Sequence, residues 1–148
     1  MNKLQLDDFL PYHLVVSADL ISRSLSKIYS KYGLTAPEWR IIAHLQASEG
    51  LTPSYIGYLS NMEKARVSRA LVLMSKKDLI VRTVDDSDKR VSHIVLSESG
   101  HQLFLKIEPE VLRWNTRFSD KLGREVYRNL LGALKDIQTN CRDESYFS

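Results

Sequence analysis

A mainly α-helical fold carrying one small β-hairpin is what this sequence predicts, and three observations predict it. Apolar residues recur at helical spacing along most of the chain. One stretch, Leu79 to Leu96, leaves that period for two short β-branched runs around a polar turn. Three short candidate helices precede the hairpin, with one long helix before them and two longer ones after it. At 148 residues, 43% hydrophobic and 26% charged, the chain has the composition and size of one globular domain, 1–148, able to bury a core.

The first helix spans Asp8 to Tyr32. Leu14, Ala18, Ile21, Leu25 and Ile28 keep one apolar stripe, and Pro11 falls in the first turn, where its missing N–H breaks no internal bond. Gly33 ends the helix, because glycine enters positive φ at little cost. Thr35-Ala36-Pro37-Glu38 opens a second helix, with Thr35 as cap and Glu38 complementing the helix dipole; this helix runs to about Gly50. Thr52-Pro53-Ser54 opens a short third helix. Asn61 is expected to cap a fourth, over Glu63 to Lys77, with Val67, Ala70, Leu71 and Met74 inward. After the hairpin, Ser97 caps a fifth helix carrying Leu103, Ile107, Val111, Trp114 and Phe118, bent by Pro109. The last helix, Gly123 to Cys141, aligns Val126, Leu130, Leu134 and Ile137. A compact helix-turn-helix followed by a hairpin is the arrangement of a winged helix-turn-helix reader of duplex DNA. The flanking helices carry more apolar face than the middle block can cover, so a second copy of the chain is the expected cover.

Charge supports that reading by its distribution. The net charge is only +3 and the pI about 9.0. Between Thr52 and Arg82, however, Lys64, Arg66, Arg69, Lys76, Lys77 and Arg82 stand against Glu63 and Asp78, a local surplus of four. Such a segment neutralises phosphates and releases their counterions. Several function classes drop out. No apolar run suits a membrane span, and the acid-bearing N-terminus is a poor signal peptide, so a cytoplasmic protein is expected. Cys141 alone makes neither an internal disulfide nor a Cys-rich zinc site. His13, His44, His93 and His101 are scattered, and His93 and His101 with nearby acids are only a weak metal candidate. No phosphate loop, nucleophile elbow or Cys–His signature occurs. No enzyme, cofactor or metal is expected.

In the fourth helix, small Ala65 allows close approach to a major groove, Arg66 or Lys64 reaches guanine edges, and Ser68 bonds a base or phosphate. Arg69, about one turn on, suits the DNA backbone. Thr52 and Ser54, at the start of the preceding helix, suit a phosphate. Lys76, Arg82 and Lys89 complete the bases expected to face DNA. Asp88-Lys89-Arg90 at the hairpin tip suits a narrow minor groove, with Asp88 bracing the Arg90 guanidinium.

The chain as a whole resembles the MarR family (multiple antibiotic resistance regulators). The resemblance rests on Leu34-Thr35-Ala36-Pro37-Glu38-Trp39-Arg40, Ala65-Arg66-Val67-Ser68-Arg69, Leu79-Ile80-Val81-Arg82, Asp85 to Arg90, and Val95-Leu96-Ser97-Glu98-Ser99-Gly100. It implies a dimeric winged-helix regulator, usually a repressor, on a near-palindromic operator. Residues 35–96 would form the DNA-binding lobe, and 8–32 with 97–141 the dimerisation lobe. It also implies that Arg90 enters a minor groove, Asp88 positions it, and the helix from Glu63 reads a major groove. Three positions depart from the family pattern. Asp78 stands where glycine is usual but tolerates left-handed φ, Lys89 stands where arginine is frequent, and Gly57 replaces a usual alanine at some cost to its helix.

The resemblance further implies a small aromatic or anionic effector, at the junction of the two lobes. Tyr12, His13, Ser17, Trp39, Arg40 and His44 are the candidates, Trp39 and Tyr12 to sandwich a ring and Arg40 to bind a carboxylate. Cys141 is expected to be an inert thiol. The competing reading is a winged-helix protein-interaction module without sequence-specific DNA binding.

Overall fold

The computed structural model describes residues 3–142. The chain forms two compact units, one reaching to Glu110 and the other starting at Val111.

The first unit holds α1 (Leu10–Tyr29), α2 (Ala36–Leu45), α3 (Pro53–Ser60), α4 (Lys64–Lys76), the strands β1 (Ile80–Val84) and β2 (Ser92–Leu96), and the start of α5 (Glu98–Leu122). Three helices leave through the same chemistry. Beyond α1, a 3-10 turn (Ser30–Tyr32) shortens the expected helix, and the Gly33 and Leu34 amides donate to the Ser30 and Tyr29 carbonyls at 3.0 and 3.2 Å. Beyond α3, Asn61 and Met62 donate to Tyr58 and Gly57 at 3.4 and 2.9 Å; beyond α4, Asp78 and Leu79 donate to Ser75 and Met74, both at 3.0 Å. These are Schellman turns, which need left-handed backbone at the residue after the helix. Gly33, Asn61 and Asp78 supply it at φ 76°, 50° and 57°. Asn61 is therefore a correction. It closes α3 instead of capping α4, and Glu63 occupies the cap position of α4 without a side-chain bond.

Helices α2, α3 and α4, the start of α5 and strand β2 turn apolar residues to a common core. Ile41 and Ile42 of α2, Ile56 of α3, Met74 of α4, Ile94 of β2 and Ile107 of α5 are fully buried. Each such side chain contributes at most about 1.5–3 kcal/mol relative to exposure. The α4 residues expected inward, Val67, Ala70, Leu71 and Met74, are all buried. On α1 the stripe is only partly satisfied: Ile28 is buried, Leu14 and Leu25 are half-buried, and Ala18 and Ile21 stay exposed.

The hairpin pairs antiparallel from Ile80 opposite Leu96 to Val84 opposite Ser92. Leu51 joins it as an unforeseen third edge, exchanging two backbone bonds with Ile94 at 3.0 and 2.7 Å. Ser97 opens α5 as expected, its hydroxyl accepting from the Gly100 amide at 3.0 Å. The same hydroxyl and that of Ser99 donate to the Asp78 carbonyl at 2.6 and 2.7 Å. This junction leaves no room for a side chain, since a Cβ on Gly100 would lie 2.1 Å from the Leu79 carbonyl oxygen.

The second unit is the rest of α5 with α6 (Arg124–Arg142), joined at Gly123. Trp114 and Phe118 stack at 5.4 Å, and Tyr127 meets Phe118 edge-on at 6.4 Å while donating its hydroxyl to Asn115 at 2.8 Å. No residue of α6 is buried. No described helix is long and apolar enough to cross a membrane.

Candidate nucleic-acid interface

α4 is held from its inner face and left open on the other. With Val67, Ala70, Leu71 and Met74 in the core, Lys64, Ala65, Arg66, Ser68, Arg69 and Lys76 are all exposed. No acidic residue lies in its first turn. The orientation is set from the far end by a contact that no local pattern announces. Thr35 and Glu38 form a reciprocal capping box at the start of α2. The Glu38 carboxylate is fully buried. Lys77 reaches it across 39 residues of chain, donating to Oε2 at 2.8 Å and Oε1 at 3.0 Å, and to the Gly33 carbonyl at 2.7 Å. A buried carboxylate without a cation would be costly, so this bond ties the end of α4 to the α1–α2 corner. Lys77, one of the surplus positive charges of the segment, thus turns to the protein.

At the start of α3, Thr52 caps the helix by accepting from the Tyr55 amide at 3.2 Å, with the Ser54 hydroxyl 3.3 Å away. Ser54 is exposed. Tyr55 and Tyr58 stack parallel at 5.9 Å on the surface of α3. Sequence reasoning passed over this pair, whose one-turn spacing was its available signal.

The wing turn is built by two carboxylates. Asp85 accepts from the Ser87 hydroxyl, the Ser87 amide at 2.8 Å and the Asp88 amide at 3.3 Å. These bonds hold its pKa down to about 2. His93 lies 3.6 Å from its other oxygen. Asp88 accepts from the Arg90 amide at 3.0 Å and from its guanidinium at 3.2 and 3.4 Å, and this partner lowers the Asp88 pKa. The Arg90 side chain is 91% exposed. A guanidinium that is braced yet open to solvent arrives at an anion with part of its ordering already done. Lys89 is exposed beside it, and Arg82 on β1 donates to Ser92 at 3.0 Å.

Residues 32–91 match the family model of the MarR family. The solved structure of AbsC, a MarR family transcriptional regulator from Streptomyces coelicolor, is 26% identical, with a TM-score of 0.85 over 97% of this chain and 100% of that one. Over residues 32–91 the chain is similar to the MarR family, and over nearly its whole length it shares that regulator's fold. The MarR proteins are transcriptional regulators, not enzymes. A helix-turn-helix regulator of Bacillus subtilis, YwaE, is 23% identical over 115 residues, 78% of this chain and 67% of that protein. The MarR fold is shared too by CouR of Rhodococcus jostii RHA1, solved with p-coumaroyl-CoA, at 18% identity and TM-score 0.79 over 91% of this chain and 95% of that one. As a transcriptional repressor on a 23-mer DNA duplex, CouR is 22% identical, with TM-score 0.83 over 93% and 99%.

One effector expectation is corrected. Trp39 is 9% exposed and stacks on Tyr29 at 6.0 Å and Phe104 at 6.1 Å, so its ring serves the core and not a sandwich with Tyr12. Tyr12 meets the His13 ring edge-on at 5.3 Å, and His13 bonds the Asp7 carbonyl oxygen at 2.7 Å. Ser17 and Arg40 are exposed, and partial burial lowers the pKa of His44. Cys141 is an exposed thiol.

Proposed function

We propose that the protein is a sequence-specific DNA-binding repressor that acts as a homodimer in the cytoplasm, has no enzymatic activity, and leaves its near-palindromic operator when a small aromatic or anionic effector binds. In this reading α4 enters the major groove, with Lys64, Ala65, Arg66 and Ser68 at base edges and Arg69 and Lys76 on phosphates. Thr52 and Ser54 contact the backbone across the groove, and Arg82, Lys89 and Arg90 serve the wing. The effector binds against α1 and α2, where Tyr12, His13, Ser17, Arg40 and His44 offer an aromatic edge and donors for an anion. The DNA-bound and p-coumaroyl-CoA-bound states of CouR support both halves by analogy. Dimerisation joins residues 8–32 and 97–141 of two copies into one helical lobe, leaving 35–96 to the operator.

The observation that carries the proposal is Arg90, held by Asp88 and almost wholly exposed on a lobe whose α4 also opens a basic face. Its test is a DNA titration at several salt concentrations. Arg90→Ala is expected to weaken operator binding and lower the slope of log affinity against log salt by about 0.9 for the lost phosphate-side charge. An unchanged slope and affinity in a folded, dimeric variant would remove the wing from the interface. Arg66→Ala should relax sequence preference, by roughly 1–3 kcal/mol of discrimination, more than it weakens binding to unrelated duplexes.

A further inference from the structure

α3 must approach DNA without a charge of its own. From Pro53 to Ser60 it contains no lysine, arginine or histidine, and its polar side chains are hydroxyls alone. Two of these belong to Tyr55 and Tyr58, whose rings stack at 5.9 Å and 9° while remaining 49% and 56% exposed. Tyr58 borders two open clefts, and Tyr55 borders the first of them. One, of about 570 Å³, is lined by Thr52, Ser54, Tyr55, Tyr58 and His93. The other, of about 430 Å³, brings Ser54 and Tyr58 together with Lys64 and Ser68 of the first turns of α4. Tyr58 thus shares a concave surface with residues proposed to enter the major groove, and Tyr55, stacked on it, lines the neighbouring cleft. In a helix-turn-helix the first helix crosses the DNA backbone while the second reads the bases.

We propose that the Tyr55 hydroxyl donates a hydrogen bond to a backbone phosphate of the bound duplex, and that the Tyr58 ring positions it by stacking. This rests on the DNA-binding reading and adds a contact of a different physical kind. Tyrosine has few rotatable bonds, and the stack fixes the ring before binding, so little side-chain freedom is lost in the complex. A neutral donor also differs from a lysine or arginine in its salt signature. It strengthens binding without neutralising a phosphate, so it leaves the number of released counterions unchanged. The positive residues of α4 and the wing then set the salt dependence, and α3 adds affinity that salt does not erode.

The experiment uses the full chain and a duplex selected by the wild-type protein from a random-sequence pool, titrated over a series of salt concentrations. Tyr55→Phe, which keeps the stacked ring and removes one hydroxyl, is expected to bind roughly 3- to 10-fold more weakly. Its salt plot should run parallel to wild type, and the loss should be equal on single-base variants of the duplex. Tyr58→Phe, which keeps the stacked ring, should lose less affinity than Tyr58→Leu, which should approach Tyr55→Phe while retaining the wild-type circular dichroism and melting temperature. Wild-type affinity for Tyr55→Phe overturns the proposal, as does a loss confined to particular base pairs, which would make Tyr55 a base reader. Equal loss in Tyr58→Phe and Tyr58→Leu overturns the positioning role. If the wild-type chain selects no duplex at all, it is the DNA-binding reading that fails, a result the variants cannot imitate.

Discussion

α4 and α6 are both amphipathic helices of ordinary length, written with the same three-and-four spacing, yet their apolar faces meet different fates. α4 buries Val67, Ala70, Leu71 and Met74 within its own unit. α6 buries nothing, and Val126, Leu130 and Leu131 are left exposed, as are Val15, Val16, Leu20 and Ile21 along α1. The difference teaches where each helix finds its partner. α4 is satisfied inside one chain, which frees its polar face for a ligand and keeps that face rigid. An apolar stripe uncovered over a whole helix marks an association surface, and in this proposal a second copy of the chain covers it.

Substitutions can break that comparison, and the largest effect is expected at the tightest junction of the self-sufficient unit. Gly100→Ala would place a Cβ against the Leu79 backbone, which cannot yield as a flexible side chain would. Its cost is expected to reach or exceed the top of the usual range for overpacking, roughly 1–3 kcal/mol, measured by urea denaturation. Next comes Lys77→Met, which strands the buried Glu38 carboxylate. Because the lysine side chain is itself 37% exposed, solvent recovers part of the loss, and about 1–3 kcal/mol is expected. Adding Glu38→Gln should restore some of it; a double variant no more stable than Lys77→Met alone would mean the pair does not couple.

Leu130→Glu probes the other side of the comparison. The wild-type mass by light scattering is expected to be twice 17.0 kDa, and the variant mass 17.0 kDa. The wild-type melting temperature should rise with protein concentration, as binding between folded copies requires, while that of the variant stays constant. A variant that remains dimeric would place the dimer contact elsewhere. The smallest effect is expected at the wing. Asp85 titrates near 2 in the folded state against an ordinary value near 3.8, so its stabilising contribution is complete above about pH 4 and fades as the pH falls toward 2. The Ser87 amide resonance should therefore hold its position from pH 7 to 4 and move with a midpoint near 2. A midpoint near 4 would mean that the turn is not built on that carboxylate.

The helices and the hairpin were legible in the sequence because periodicity and caps are local properties. Thr35 and Ser97 cap as their positions require, and Asp78 adopts the left-handed turn its short polar side chain permits. The error at Asn61 was equally local, since asparagine serves both ends of a helix and only the bonds made by the Asn61 and Met62 amides decide between them. Gly57 was read as a weakness in α3; a Cβ there would lie 3.0 Å from the Met62 carbonyl oxygen, so an alanine would need the following turn to shift by a few tenths of an ångström. Of the site, the exposure of Arg66 and Arg69 and the bracing of Arg90 were readable from nearby residues. The roles of Trp39 and Lys77 were not, because Phe104 and Glu38 are distant in the chain.

What the sequence determined by itself is therefore the set of elements, their order, the faces they bury and the charge they display, all consequences of spacing within a few residues. What only the tertiary structure decided is which charged and aromatic side chains are spent inside the protein. Lys64 and Lys77 lie on one segment and look alike in sequence, but one stands in solvent and the other closes on a fully buried carboxylate. Trp39 and Tyr55 divide in the same way, the first packed in the core and the second left at the surface. The burial of these charged and aromatic side chains is set by partners brought together from far along the chain, which no local pattern encodes.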